Sequence, residues 1–215
     1  AGFPKDRFYL YQSVWRPQLP MVHILPHWNW PDRVGEITPV HVFTSGDEAE
    51  LFVNGKSLGR KKKEPYQYRL RWDEVVYEPG DVKVVAYKEG AVWAEQSVKT
   101  TGQPEKLLGE ADRIMITADG EDLAFITLYV ADEAGLLVPK AKNNLRFSID
   151  GPGQIVATDN GEPTDMTSFA AHQRKAFNGY CLVIVKAVKG QAGTIRLTAE
   201  SDGLKPVVVE VEAGT

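Results

Sequence analysis

Two histidines and two tryptophans crowd one short stretch, PMVHILPHWNW (residues 20–30). His23 and His27 offer ring nitrogens for a metal or a proton. Trp28 and Trp30 offer flat faces for a sugar ring. Spacing weighs against the metal: four residues of extended chain, at about 3.3 Å each, hold the two histidine Cα atoms ~13 Å apart. Separate hydrogen-bonded histidines are the simpler expectation, and His41 and His172 lie far off in sequence. Trp28 and Trp30 flank Asn29, so in a strand they would share one face. Such a pair suits either a glycan platform or a buried contact surface, where Trp is enriched. His27, Trp28 and Trp30 are therefore the candidate contact residues, with docking and glycan binding both open.

Other groups that could do chemistry carry blander explanations. Asp150, Asp159, Asn160, Glu162 and Asp165 in DGPGQIVATDNGEPTD could offer oxygens to calcium, but their spacing is not that of an EF-hand. Turn formation accounts for the same Asx and Gly residues. The run Arg60-Lys61-Lys62-Lys63 reads as a solvated sheet edge that discourages pairing with another chain. Cys181 is the single cysteine, which excludes an internal disulfide or a cysteine-pair metal site. It opens the apolar run YCLVIVKAV and is expected to be a small buried hydrophobe. A Gly-x-Ser-x-Gly elbow and a phosphate-cradling glycine loop are both missing. The expectation is no catalytic residue, no metal and no cofactor.

The elements that must hold these residues are mostly strands. Residues 4–16, PKDRFYLYQSVWR, are the exception and predict a helix, with Pro4 and Asp6 suited to its first turn. Phe8, Tyr11 and Trp15 fall at i, i+3 and i+7, and Leu10 and Val14 widen the apolar surface beyond that of a half-exposed helix. This helix expects cover on more than one side. After RPQLP the period becomes two. MVHILPHW, ITPVHVFT, AELFV-NG-KSLGRK, YQYRLRW, DVKVVAY and AVWAEQSVKT give six or seven short strands, and Asn54-Gly55 is a strong hairpin signal. TTGQPEK (100–106) reads as a linker. Seven more strands follow, from DRIMITA to PVVVEVEA, with Gly161–Ala176 the longest stretch lacking a strand pattern. The predicted class is all-β: two tandem immunoglobulin-like sandwiches behind one short helix. The expected divisions are 1–17, 18–102 and 103–215.

Of the 215 residues, those up to 103 carry a net charge of +1 and the remainder −5, so neither half has the basic field of a nucleic-acid binder. No apolar run approaches the ~18 residues of a membrane-spanning helix. The opening AGFPKDRFYLYQ lacks the charged and apolar regions of a signal peptide and reads like mid-protein sequence, so the chain is expected to be a piece of a longer one.

AGFPKDRFYLYQSVW followed by VHILPHWNWPDRVGEITPVHVFTSGDEAELFVNGKSLGRK resembles the C-terminal part of bacterial β-galactosidases of glycoside hydrolase family 2. SIDGPGQIVATDNGEPTD and RKAFNGYCLVIVKAVKGQAGTIRLTAESDGL extend the resemblance over nearly the whole chain. It implies that residues 1–16 are the last helix of a catalytic TIM barrel and that two accessory sandwiches follow. Phe8, Tyr11 and Trp15 would face that barrel, and PHWNW would dock the first sandwich on it. The family's catalytic glutamates stand on barrel strands that, by this reading, precede residue 1, so neither is carried over. The implied role is non-catalytic: supporting the barrel, shaping the cleft rim or making contacts in a homo-oligomer of a parent that cleaves O-glycosyl bonds. The implied location is periplasmic or extracellular. The rival readings are a carbohydrate-binding module with an oligosaccharide partner and an extracellular protein-binding sandwich pair.

Overall fold

Alternation along Glu48–Val53 shows how these residues build sheets: Ala49, Leu51 and Val53 are buried while Glu48, Glu50 and Phe52 lie on the other, partly wet face. The computed structural model describes residues 1–214. They form two compact units, residues 3–100 and the residues from Thr101 onward together with Ala1 and Gly2. Each unit is a β-sandwich with its own apolar core.

The first unit holds α1 (Asp6–Trp15) and seven strands: β1 (Val22–Leu25), β2 (Val40–Thr44), β3 (Glu48–Val53), β4 (Lys56–Lys62), β5 (Leu70–Trp72), β6 (Asp81–Lys88) and β7 (Ala91–Lys99). One sheet runs β1-β2-β5 and the other β4-β3-β6-β7, with all pairs antiparallel. Val40, Val42, Leu51, Leu70 and Val84 fill the space between them. The Gln96 side chain of β7 ties the sheets at one edge by accepting the Ile24 N–H of β1 at 2.7 Å. Asn54 and Gly55 make the hairpin turn with φ of 49° and 79°, the left-handed pair that a two-residue turn requires. Strand β4 lies exposed at the sheet edge, where Arg60 pairs with Glu48 at 2.5 Å.

Two local expectations shift. The helix starts at Asp6, with Lys5 as its N-cap, leaving Pro4 outside it. YQYRLRW becomes strand only at Leu70–Trp72, because Pro65 starts a turn closed by the Gln67 N–H on the Glu64 carbonyl at 3.0 Å. Tyr66 takes the left-handed position of that turn.

The second unit adds β8 (Lys106–Ala111), β9 (Met115–Thr117), β10 (Leu123–Ala131), β11 (Asn144–Asp150), β12 (Gly153–Asp159), β13 (Gln173–Lys175), β14 (Tyr180–Ala187), β15 (Gly193–Glu200) and β16 (Val207–Gly214). One sheet runs β12-β14-β10-β8 and the other β13-β11-β15-β16-β9. Strands β8, β10, β14 and β12 stand as A, B, E and D of an immunoglobulin-like sandwich, and β11, β15 and β16 as C, F and G. Strand β9 runs parallel to β16. Strands β8 and β13 do not stand out in the sequence pattern. In β8, Gly109 interrupts the apolar alternation. A Cβ there would come within 2.7 Å of Leu128 and Val209 side-chain atoms, so close packing of the sheets favours glycine. Strand β13 is three polar residues inside the long loop.

Gly151, between β11 and β12, has φ +86° and would set a Cβ 2.1 Å from the Thr194 carbonyl oxygen, whereas Gly190, at φ +72°, faces open space. Gly190→Ala should cost about 1–2 kcal/mol from backbone strain alone. Gly151→Ala should cost clearly more in urea unfolding of the same chain. Equal costs would show that the Thr194 backbone yields freely.

Candidate functional site

Strand β1 stops before Pro26, so PHWNW is not a strand and its two indoles part company. Trp28 is only 1% exposed and belongs to the first unit's core. Its ring meets Tyr77 with centroids 4.9 Å apart, and its Nε1–H donates to the Glu78 carbonyl at 2.9 Å. The Tyr77 hydroxyl accepts the Trp30 backbone N–H at 3.1 Å. Thr100 Oγ1 donates to the Trp28 carbonyl at 2.6 Å and accepts the Gly80 N–H at 3.0 Å. The docking or glycan role expected of Trp28 is thereby corrected: this side chain plugs the sandwich and offers no outer face. A large indole beside Tyr77 removes apolar area from water while each polar end finds a backbone partner.

His27 and Trp30 remain half-buried at the rim of that plug. Their rings stack at 4.4 Å and 17°, and Trp30 Nε1–H donates to the His27 carbonyl at 2.8 Å. The Arg33 guanidinium lies 5.9 Å from the Trp30 ring centre. The paired-indole platform, one of the two readings that the spacing of Trp28 and Trp30 left open, is therefore not formed.

Helix α1 has a mounted side and an open side. On the mounted side His23 Nε2 lies 2.9 Å from Asp6 Oδ1, and the Tyr9 ring stacks on His23 at 3.9 Å and 11°. Phe43 lies beyond His23 at 6.3 Å, and Ser13 is buried with its hydroxyl donating to the Leu10 carbonyl. His23 Nδ1 is buried without a hydrogen-bond partner, which favours the tautomer with its proton on Nε2, facing Asp6. On the open side Phe8, Tyr11 and Trp15 are 49%, 47% and 73% exposed, with Tyr11 and Trp15 stacked at 4.8 Å. The structure thus brings the three helix residues onto one solvent-facing surface. His23 is what sequence reasoning missed as the clamp of this helix; only its β-strand setting was legible.

The remaining titratable groups serve architecture. His41 has its pKa lowered by burial and by Arg69 and Arg71. The Cys181 thiol is pushed up to about 12 by burial, and its Sγ lies 3.4 Å from the Asp159 carbonyl. Asp159 Oδ1 accepts the Asn160 and Gly161 N–H groups, as turn chemistry demands. Asp165 is held at about 2 by hydrogen bonds from Thr167 and by Arg174, whose Nη1 lies 2.7 Å away. Arg174 itself is 2% exposed. Among the described residues no group of three or more His, Cys, Asp or Glu is placed to hold a metal ion.

Comparison with known proteins follows the same two-unit division. Residues 107–210 match the family described as glycoside hydrolase family 2 C-terminal domain 5, and residues 35–94 match a domain of unknown function, DUF4982. The chain is 45% identical over 213 residues to the β-galactosidase BoGH2A of Bacteroides ovatus, covering 99% of this chain and 25% of that protein. It is 31% identical over 213 residues to a β-glucuronidase of Formosa agariphila, covering 98% of this chain and 21% of that protein. A solved β-glycosidase from Bacteroides vulgatus superposes with a TM-score of 0.93 at 32% identity, over 98% of this chain and 27% of that one. The chain therefore spans about a quarter of the length of the curated relatives it matches along its whole extent.

Two measurements check the assignments. Trp28→Ala should cost about 3–5 kcal/mol in denaturant unfolding, and Trp30→Ala less, because its ring is already half wet. A milder Trp28 variant would contradict its place in the core. The Asp6 pKa lies below its ordinary 3.8, chiefly through the His23 hydrogen bond. A carboxylate with a lowered folded pKa stabilises above its unfolded pKa and loses that contribution as pH falls through the folded value. The Tyr9 ring signals should therefore show an acid step as pH falls through the lowered Asp6 pKa and the hold on His23 weakens. Asp6→Asn should flatten that profile.

Proposed function

The chain belongs to the C-terminal region of glycoside hydrolase family 2, and from that premise we propose that it serves as a non-catalytic accessory region docked through helix α1 onto the catalytic barrel of its parent hydrolase. The observation that carries the reading is the open face of α1. Phe8, Tyr11 and Trp15 stand in water, although the helix is held in place from behind by Asp6, Tyr9 and Ser13. Each large side chain taken out of water contributes roughly 1.5–3 kcal/mol, so three on one face make a substantial contact. Surfaces this apolar on a firm mount mark interaction sites. His27 and Trp30, at the rim of the Trp28 plug, extend the same proposal.

The relatives' names supply the parent's chemistry in this reading: hydrolysis of β-galactosides or β-glucuronides, with the reacting carboxylates on the barrel. Barrel support, the cleft rim and contacts in a homo-oligomer are the roles such a region can fill. The periplasmic or extracellular location belongs to the same proposal. The burial of Trp28 removes one of the residues on which a carbohydrate-binding role could rest, leaving Trp30 and the 161–176 loop.

A paired experiment tests the docking. In the isolated chain, the triple change Phe8→Ser, Tyr11→Ser and Trp15→Ser should shift stability by little, since surface substitutions usually stay within about 0.5 kcal/mol each. In the parent enzyme the same triple change should lower the melting temperature of the barrel and its association with this region. An unchanged parent would sink the docking reading. The isolated chain should release no nitrophenol from aryl β-galactosides or β-glucuronides, and turnover that survives repurification would sink the non-catalytic one.

A further inference from the structure

We propose that a groove in the second unit, beside β11 and β13, binds a carbohydrate chain. The groove measures about 520 Å³, within the ~300–1,000 Å³ typical of ligand sites. Its accessible edge carries Lys142, Asn144, Gln173 and Lys175, and Phe177 is half-buried among its lining residues. Asn144 and Gln173 each present a donor and an acceptor together, which is what a sugar hydroxyl asks of its partner. The Phe177 ring supplies the apolar surface on which the C–H face of a sugar ring can rest.

The wall of the groove is built rather than incidental. Arg174 and Asn160 both line it, and both are buried, at 2% and 3% exposure. Arg174 donates from Nε to Thr158 Oγ1, from Nη1 to Asp165, and from Nη2 to the Thr167 and Ser168 carbonyls. Four of its five N–H groups are thereby engaged within the protein, so its part is to hold the wall in place. Asn160 donates from Nδ2 to Asp165 and to the Lys175 carbonyl, and its Oδ1 accepts the Glu162 N–H. Loop 161–171 is fixed from beneath by these bonds, so a ligand need not order it on arrival.

Charge narrows the ligand class. Arg174 and Asp165 cancel each other, leaving Lys142 and Lys175 against Glu162. That balance lacks the cationic field that phosphate-rich polymers require. It suits a polyhydroxylated chain held by hydrogen bonds, whether its sugars are neutral or carry a carboxylate. Helix α1 contributes nothing to this groove, so the proposal stands or falls independently of the docking reading.

The test is an NMR titration of the whole 215-residue chain with two probes, a neutral β-linked gluco-oligosaccharide and an oligogalacturonide of equal length, each to about 10 mM. Saturable shifts centred on Asn144, Gln173 and Lys175, with Kd on the order of 1 mM, are expected with at least one probe, and the stronger probe identifies the sugar class. Asn144→Ala and Gln173→Ala, both at exposed positions, should each weaken binding at least about fivefold while leaving the unfolding midpoint in place. Absence of saturable shifts with both probes would overturn the proposal. So would shifts that map to the first unit. Binding of the acidic probe alone that survives both substitutions and vanishes in salt would overturn it too, as a diffuse charge effect.

Discussion

Burying Trp28 against Tyr77 brings three separate parts of the first unit to one point. The indole sits 49 residues from Tyr77 in sequence, and its carbonyl meets Thr100 at the end of β7. Tyr77 in turn fixes the Trp30 backbone. An indole N–H left without an acceptor in a dry core would cost a kcal/mol or more; the Glu78 carbonyl removes that penalty. Because the plug holds the chain on both sides of the sandwich, β1 cannot shift without disturbing Thr100. Since β1 carries His23, the mount of α1 rests on the same plug.

The second unit solves a different problem. Its long connection between β12 and β14 has few apolar residues to bury, so it is organised by an ion pair instead. Removing Arg174 from water is expensive, and the expense is offset by Asp165 together with Thr158, Thr167 and Ser168, which receive its N–H groups. A charge with four of its five N–H groups bonded within the protein ties the loop down at several points. The loop so held leaves Met166 almost wholly exposed and forms one wall of a polar groove. The two units thus present unlike surfaces: an aromatic helix face suited to a protein partner, and a groove whose mixed donors and acceptors suit a hydroxylated one.

Helix α1 shows how an element can be stable in place yet incomplete. Its attachment is polar and aromatic, through Asp6, Tyr9 and His23, while its larger hydrophobes face outward. Sequence periodicity already made this helix apolar on too many sides for a lone amphipathic element. A helix that contacts sheets behind and, in the docking proposed above, a catalytic domain in front would account for both of its apolar surfaces.

The sequence by itself determined what acts over a few residues. Asn54-Gly55 set a hairpin because both positions need left-handed backbone. Period-two alternation set most strands and hence the all-β class, and Phe8, Tyr11 and Trp15 fell on one helix face because three and seven residues nearly complete whole turns. Tertiary structure alone decided what depends on distant partners. Trp28 went inward and Trp30 to the rim because Tyr77 and Thr100 lie at the plug, which no spacing within PHWNW encodes. Strand β8 formed despite Gly109 because Leu128 and Val209 close on it. Asp165 looked like one more turn residue or a calcium ligand until Arg174, nine positions on and at the centre of β13, arrived beneath it. Hydrophobic and turn preferences are properties of neighbours along the chain, whereas a buried charge finds its partner only once the fold has brought the two together.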